Sequence, residues 1–289
     1  MRLTRRDQLI LLAPLGILLL GWFVGPALLG LLATFTTYSP FVTSSRVVGL
    51  ANYSAVLRDP QFATATANVA VFTLFAVPLE LALGLMIASL LRRPLRGKAV
   101  WRVLLLLPWL VSPIASGVMW HYLLSGANGM VDYFLGWLGW PPAASPLADV
   151  RLALAVLIAV EVWRVGPVVA FLLLPGLAAI PDEQWEEARL AGASAIRQVV
   201  RVAVPGTQQL LLTVSMLLVG LALGSFDTIL ILTGGGPGTA TLTPALYSYH
   251  SAFATNDWPV GAAAAWLIGA TVFGVGLIYL WLSRQRHGE

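Results

Sequence analysis

Long apolar stretches without charged residues are the feature that most limits how this chain can fold. The first runs from residue 9 to about residue 33, and five more of similar length follow it. A helix needs about 20 mainly apolar residues to cross the hydrocarbon core of a bilayer. The six stretches, called spans 1 to 6 below, lie at about 9–33, 67–91, 100–124, 152–179, 207–232 and 260–283. They predict an all-α, polytopic membrane protein with six transmembrane helices and one transmembrane domain over residues 1–289.

The composition also indicates that lipid is the solvent. Of the 289 residues, 58% are hydrophobic and only 10% are charged, and the mean hydropathy is +0.83. Soluble domains carry about 25% charged residues. The chain has no cysteine, which excludes disulfide bonds and thiolate metal sites. The arginines before span 1 give it a likeness to a secretory signal, but signal apolar regions run about 7–15 residues, so we interpret span 1 as a retained helix.

The distribution of basic residues predicts the orientation of the helices. Cytoplasmic loops of membrane proteins are rich in Lys and Arg. If the N-terminus is cytoplasmic, thirteen of the 17 basic residues fall on that side and three on the outer side. The cytoplasmic set is Arg2, Arg5, Arg6, Arg92, Arg93, Arg96, Lys98, Arg102, Arg189, Arg197, Arg201, Arg284 and Arg286. We therefore expect a multi-pass protein of the inner (plasma) membrane with both termini cytoplasmic, and we attribute the net charge of +4 to topology and not to nucleic-acid binding.

The cytoplasmic segment between spans 4 and 5, residues 181–206, is unusual for a loop. Pro181 and Asp182 open it and acidic residues fill its first turn, which is typical of a helix N-terminus. Gly192 allows a sharp turn, and apolar residues recur at helical spacing between it and Pro205. Spacing alone leaves two interpretations open: a helix–Gly–helix elbow that docks into the groove of a partner, or an amphipathic hairpin that lies on the membrane surface.

The same segment resembles the EAA loop of ABC importer permeases, where Glu-Ala-Ala precedes a Gly and a Pro follows that Gly thirteen positions later. The matching positions are Glu186, Ala188, Gly192 and Pro205. The departures are Glu187, where the family usually has Ala, and Ala191, where it often has Asp. The resemblance implies that the elbow is the coupling helix that inserts into a cytoplasmic ATPase. The residues that it implicates in coupling are Glu186, Glu187, Ala188, Gly192, Ala193 and Ser194.

Three further segments resemble the maltose/glycerol-phosphate type of importer permease. They are the glycine-rich stretch 232–241 with the residues after it up to 253, the early outer-loop motif 49–53, and the start of the third helix at 107–109. The resemblance implies the type I ABC importer permease fold and transport of a sugar or related carbohydrate. It also implies four kinds of partner: a second permease subunit of different sequence, two ATP-binding cassette subunits, an extracytoplasmic sugar-binding protein and membrane lipid. No Gly-Lys-Ser/Thr follows the glycines, so we expect no cofactor in this chain, with ATP and Mg bound by the ATPase.

Four ionisable residues fall within the predicted spans, where charge is costly and usually faces the interior of the helix bundle. They are Glu80, Glu161, Arg164 and Asp227. Glu161 and Arg164 are three residues apart, so they can pair on one helix face. The pair either neutralises two charges structurally or forms a polar patch near the translocation path, with Trp163 beside it. Trp163 points in another direction, which also allows it to pack against lipid.

Near the outer end of span 5, Ser225, Phe226 and Asp227 follow one another. An aromatic ring and a hydrogen-bonding side chain are the groups that usually hold a sugar, and the resemblance implies that this helix faces the sugar. We therefore predict a substrate path formed by Glu161, Trp163, Arg164, Ser225, Phe226 and Asp227. Gly220 and Gly224 form a small-xxx-small pair that favours helix packing.

Two other classes of function compete with the ABC permease. A proton-coupled secondary transporter would use Glu80, Glu161 or Asp227 as the proton carrier, although the chain shows none of the internal repeats common in such folds. An intramembrane enzyme would need a nucleophile or metal site, and the three histidines and the serines show no such spacing. The sequence does not identify the sugar.

Overall fold

The computed structural model describes residues 5–39, 45–93, 96–126, 129–139 and 145–285. Arg2 and Arg286, which contribute to the predicted orientation, lie outside these residues. A β-bridge joins Thr36 and Val47, and helices account for most of the described residues. The helices are α1 (Arg5–Leu19), α2 (Gly25–Ala33), α3 (Ala51–Arg58), α4 (Pro60–Arg92), α5 (Lys98–Leu110), α6 (Pro113–Leu123), α7 (Met130–Trp137), α8 (Ala153–Ala178), α9 (Asp182–Leu190), α10 (Ala195–Gln198), α11 (Val204–Gly206), α12 (Gln208–Leu223), α13 (Asp227–Leu232), α14 (Pro244–Tyr249) and α15 (Trp258–Gln285).

Four helical stretches in the described residues are long and apolar enough to cross a membrane: Leu11–Ala33, Pro60–Arg92, Ala153–Ala178 and Trp258–Trp281. Two bent pairs raise the number to six if each pair counts as one span. These are α5 with α6, bent by 89°, and Ala195–Gly206 with α12, bent by 87°. The first span contains a π-helical turn at Leu20–Val24 that joins α1 to α2.

The helix bounds differ from the prediction at three places. The second span begins at Pro60 and not at residue 67, because Asp59 caps the helix by accepting a hydrogen bond from the backbone N–H of Gln61 at 2.8 Å, and proline suits the first helical position. The prediction of one straight helix over 100–124 is wrong. The chain leaves the helix at Val111 and Ser112, whose ψ angles are 127° and 149°, because a residue before proline is pushed out of the helical region.

The predicted helix over 207–232 is also wrong as a continuous element. The structure has α12, a break at residues 224–226, and then the short helix α13. At the break Phe226 has φ −148°, and the hydroxyl of Thr243 donates to the carbonyl of Ser225 at 3.2 Å. A side chain from another element therefore takes the place of the helical hydrogen bond that the break removes.

The core is built around the contact between α4 and α8. At two positions glycine lets the helices approach closely: a Cβ on Gly84 would lie 2.5 Å from Cγ1 of Val169, and a Cβ on Gly166 would lie 2.7 Å from Cδ2 of Leu83. Small residues at such contacts allow the close van der Waals packing that holds helices together in lipid. In contrast, the first span has none of its most apolar window buried, so its surface is left for lipid or another chain.

The loop between α2 and α3 is fixed to the end of α2 by residues of the 49–53 motif. The side-chain amide of Asn52 donates to the carbonyls of Thr34 and Thr36 at 2.8 and 2.9 Å. The Thr34 hydroxyl donates to the Leu31 carbonyl at 2.6 Å and lies 3.1 Å from the hydroxyl of Tyr53. The short helix α3 lies in this loop, and this network positions it.

Replacing Gly84 with alanine should destabilise the helix pair, because the added methyl group overlaps Val169 and overpacking a close contact costs about 1–3 kcal/mol. The midpoint of thermal aggregation of the chain in detergent, followed by fluorescence-detected size exclusion, should fall. Gly269→Ala is the matched control, since a Cβ at this position of α15 meets nothing within 4 Å. Equal midpoints for the two variants would contradict the close contact.

Candidate functional site

The segment 181–206, called the elbow below, is anchored to the end of α4 by Trp185. This side chain is only 4% exposed, and the guanidinium carbon of Arg92 lies 4.5 Å from its ring centroid. Arg92 also forms an ion pair with Asp182 in the first turn of α9. A cation over an indole face is an attractive contact, so one arginine holds both the ring and the acidic start of the elbow.

Gly192 makes the sharp turn between the two arms of the elbow. Its φ is +71°, in the left-handed region where glycine carries no Cβ penalty. The backbone N–H of Gly192 donates to Arg189 at 2.9 Å and that of Ala193 donates to Ala188 at 3.0 Å, which satisfies carbonyls at the end of α9. Ser194 then caps α10 by accepting from the N–H of Arg197 at 3.4 Å.

The structure brings all six predicted coupling residues together on this turn. Glu186, Glu187, Gly192 and Ser194 are exposed, and Ala188 and Ala193 are half-buried. Beside them, Leu190 is 89% exposed and Ile196 is 76% exposed. The tight turn therefore carries an acidic ridge with protruding apolar side chains. Such a surface fits the groove of a partner, because apolar anchors on a helix give affinity when they enter a hydrophobic groove.

The second site lies around the break at residues 224–226. Phe226 packs against Tyr249 with ring centroids 5.1 Å apart, Tyr249 against Phe253 at 5.1 Å, and Phe253 against Trp258 at 5.0 Å. These four residues, called the aromatic row below, line a cavity of about 410 Å³ together with small residues of α14 and α15. Tyr249 and Phe253 lie on or beside a π-helical turn at His250–Ala254.

The predicted ion pair between Glu161 and Arg164 forms within α8. The Arg164 Nη2 donates to one carboxylate oxygen at 2.6 Å and the Nε to the other at 3.3 Å. Glu161 is 8% exposed, and the guanidinium carbon of Arg164 lies 5.6 Å from the Trp109 ring centroid. Trp163 packs edge-on against Trp120 of α6 at 5.4 Å, so its ring contacts protein on this side.

Helix α6 lies between the ion pair and the break. Its Trp120 contacts Trp163, and its Gly117 faces α13, where an added Cβ would lie 3.0 Å from the Cβ of Ile231. His121, one residue further on, contacts the Leu232 carbonyl through Nδ1 at 2.9 Å. The predicted substrate-path residues therefore form two groups, Glu161 to Arg164 and Ser225 to Asp227, with α6 between them.

The glycine-rich loop after α13 folds back tightly and is pinned to α4. Gly234 and Gly235 have φ of +61° and +91°, in the region that glycine adopts without a Cβ penalty. The side-chain amide of Asn68 donates to the carbonyls of Thr239 and Leu242 at 2.8 and 2.9 Å. The Tyr247 hydroxyl donates to Asp59 at 2.7 Å, and burial together with this hydrogen bond raises the pKa of Tyr247 to about 12, so it remains a donor at physiological pH.

Comparison with known proteins decides the family. The model of the family "Binding-protein-dependent transport system inner membrane component" matches residues 80–286. The chain belongs to this family. It is 33% identical over 246 residues to the trehalose/maltose transport system permease protein MalF of Thermococcus litoralis, covering 85% of this chain and 83% of the relative.

Two solved structures share the fold. One is a bacterial ABC transporter involved in the import of the acidic polysaccharide alginate, with TM-score 0.81, 18% identity and coverage of 97% of this chain and 96% of the other. The second is the bacterial alginate ABC transporter in complex with a pentasaccharide-bound periplasmic protein, with TM-score 0.78, 19% identity and the same coverage. The predictions of an ABC permease and of a chain that is not an enzyme are confirmed, and the comparisons give a proton-coupled transporter no support.

Sequence reasoning missed two parts of the permease sites. The Arg92–Trp185 contact joins residues 93 positions apart, and only the basic end of one helix and the acidic start of the other hinted at it. Tyr249 and Trp258 were not among the predicted path residues, although the aromatic residues at 249, 253 and 258 could have indicated a shared lining. Their meeting with Phe226 depends on how α14 folds back.

Tyr247→Phe should loosen the glycine-rich loop of the permease. The ring contact with Phe62, 5.3 Å between centroids, is kept, but the carboxylate of Asp59 loses its donor, and a hydrogen bond to a charged group contributes about 1.5–3 kcal/mol. We expect faster proteolysis of residues 233–243 in detergent-purified protein. Tyr122→Phe, at an exposed tyrosine of α6, should leave the cleavage rate unchanged; equal rates for the two variants would contradict the role of this bond.

Proposed function

We propose that this permease moves a sugar or related carbohydrate into the cell, and that the elbow transmits the work of a separate ATPase to the helices. The observation that carries the proposal is the elbow itself: a positive-φ turn at Gly192, an exposed acidic ridge and exposed apolar side chains. The rigid anchor at Trp185 supports it, because a displacement of the turn is then passed to α4 and not absorbed locally.

The proposed topology has six transmembrane helices and cytoplasmic termini. Each bent pair would then count as one span, and the basic residues at the end of α4 and on the elbow would share the cytoplasmic side with both termini, as the excess of Lys and Arg in cytoplasmic loops favours. The outer loops, including the pinned segment 233–243, would face the binding protein.

Carbohydrate is the proposed substrate class for two reasons. The relative from Thermococcus litoralis carries trehalose/maltose in its name, and both solved structures belong to an importer of a polysaccharide. The aromatic row also lies at the break where Ser225 and Asp227 flank Phe226 along the chain. Aromatic faces pack against the C–H faces of a pyranose, and carboxylate and hydroxyl groups bind its hydroxyls.

The proposed assembly contains this permease, a second permease of different sequence, two ATP-binding cassette subunits that hold ATP and Mg, and an extracytoplasmic sugar-binding protein. One elbow and one set of path residues form half of a translocation pathway. Closure of the two ATPases would move the two elbows, and the helices would rock between outward-open and inward-open arrangements.

Gly192→Asp tests the coupling role. The variant should reach the membrane in normal amount, because a Cβ at this position meets nothing within 4 Å. Uptake of radiolabelled maltose or trehalose by cells with the whole transporter should fall to background, since an unpaired carboxylate buried in an interface costs about 3–5 kcal/mol. Affinity purification of the variant should recover less ATPase than the wild type.

Gly97→Asp is the matched control for this variant. Gly97 also has φ +71°, is exposed and has open space around a Cβ, so the backbone strain and the added charge are the same. Normal uptake is expected from this control. Normal uptake from Gly192→Asp would refute the coupling role, and recovery of the wild-type chain without an ATPase even after cross-linking would refute the assembly.

Phe226→Ala tests the substrate path. Loss of the ring should lower kcat/KM for uptake about tenfold, because one aromatic contact contributes roughly 0.5–1.5 kcal/mol beyond its buried area. ATP hydrolysis stimulated by the loaded binding protein should persist, which separates loss of substrate contact from loss of folding. Phe273→Ala is the control, since Phe273 is 67% exposed on α15. Equal kcat/KM values for both variants would remove Phe226 from the path.

A further inference from the structure

A groove of about 310 Å³ lies between the last two turns of α4 and the elbow, and its lining includes Trp185 and also Ile196, which stands beside the coupling residues. Its walls are apolar, with Met86 and Leu90 from α4 and Ile196 and Val199 from the second arm of the elbow. The groove therefore joins a membrane helix to the segment that we propose to contact the ATPase.

The α4 wall of the groove faces away from the protein core. Met86 and Leu90 are spaced i and i+4, so they share one helix face. Arg93 follows the last residue of α4 in an extended conformation, and all three side chains are exposed. Leu85 and Ala88, on the opposite face, are buried. An apolar strip about 6 Å long is thus followed by a cationic side chain.

The charges at the mouth of the groove are not balanced by the protein. Arg92 is held by Asp182 and Trp185, but Arg93 and Arg189, which also line the groove, form no ion pair within the described residues. Two free guanidinium groups above an apolar strip complement one kind of molecule, which combines an anionic phosphate with a hydrocarbon chain. Arginine pairs with phosphate oxygens through two parallel hydrogen bonds.

We propose that this groove binds an anionic phospholipid, with the phosphodiester between Arg93 and Arg189 and one acyl chain along Met86 and Leu90. Basic pockets at the cytoplasmic ends of transmembrane helices are where anionic headgroups bind, so the inference rests on the proposed topology. A free phosphate or nucleotide would leave the apolar wall uncovered, whereas a lipid covers both parts. The bound lipid touches α4 and the elbow together and so ties the elbow to the membrane.

The test is native mass spectrometry of the full chain in detergent, titrated with dioleoyl phosphatidylglycerol or dioleoyl phosphatidylcholine. We expect the wild type to retain phosphatidylglycerol at least tenfold more than phosphatidylcholine, and millimolar inorganic phosphate not to displace it. The double variant Arg93→Gln/Arg189→Gln should lose this preference, because each basic residue near an anionic headgroup contributes roughly a fivefold gain in affinity. Leu90→Trp, which fills the apolar part and leaves the charges, should also reduce retention.

Arg197→Gln/Arg201→Gln is the matched control: both residues are exposed on the same elbow and lie outside the groove, so the preference should remain. Equal retention of the two lipids by the wild type, or unchanged retention by the groove variants, overturns the proposal. Displacement of the lipid when the ATPase and second permease assemble overturns it too, since a subunit then covers the groove. The lipid assay requires neither transport nor a particular orientation. Uptake measured with the same proteins therefore distinguishes failure of the lipid proposal from failure of the proposed function.

Discussion

A bilayer offers no water to backbone N–H and C=O groups, and each such group left unpaired costs several kcal/mol. This constraint forces the apolar stretches into helices, and it also determines where a helix can stop. At residues 224–226 the Ser225 carbonyl accepts from Thr243, and at the end of α13 the Leu232 carbonyl contacts His121. At both places another element supplies a partner for the carbonyl, and the aromatic row is assembled at the first of them.

The two candidate sites lie at opposite ends of one helix. α12 begins at the 87° bend after the elbow and ends at the break beside Phe226. Helix α12 has 16 residues, and an α-helix rises 1.5 Å per residue. A shift of the elbow can therefore be transmitted to the aromatic row along one continuous helix. The anchor of the elbow on α4 through Arg92 and Trp185 gives a second connection, since α4 forms the core with α8.

The charges inside the helix bundle are handled by local pairing. Glu161 and Arg164 lie one turn apart on α8, and the Trp109 ring lies near the guanidinium. Two opposite charges that are each costly inside a membrane are thus paired within a single helix. Glu80 is 3% exposed on the facing helix α4 and interacts electrostatically with both members of the pair. All three residues lie on α4 and α8, the two helices that form the core.

The sequence alone determined the helical class, the approximate positions of the spans and the elbow, because apolar length and the Pro181, Gly192 and Pro205 signals act locally along the chain. The Glu161–Arg164 pair was likewise predictable, because two residues three positions apart on a helix lie on the same face. Pro113 sets the break at Ser112 locally as well. Tertiary structure decided the break at Ser225, the meeting of Arg92 with Trp185, and the aromatic row. These features depend on partners that lie far away in the sequence, and a local pattern carries no information about which distant group will satisfy a free carbonyl or cover an indole ring.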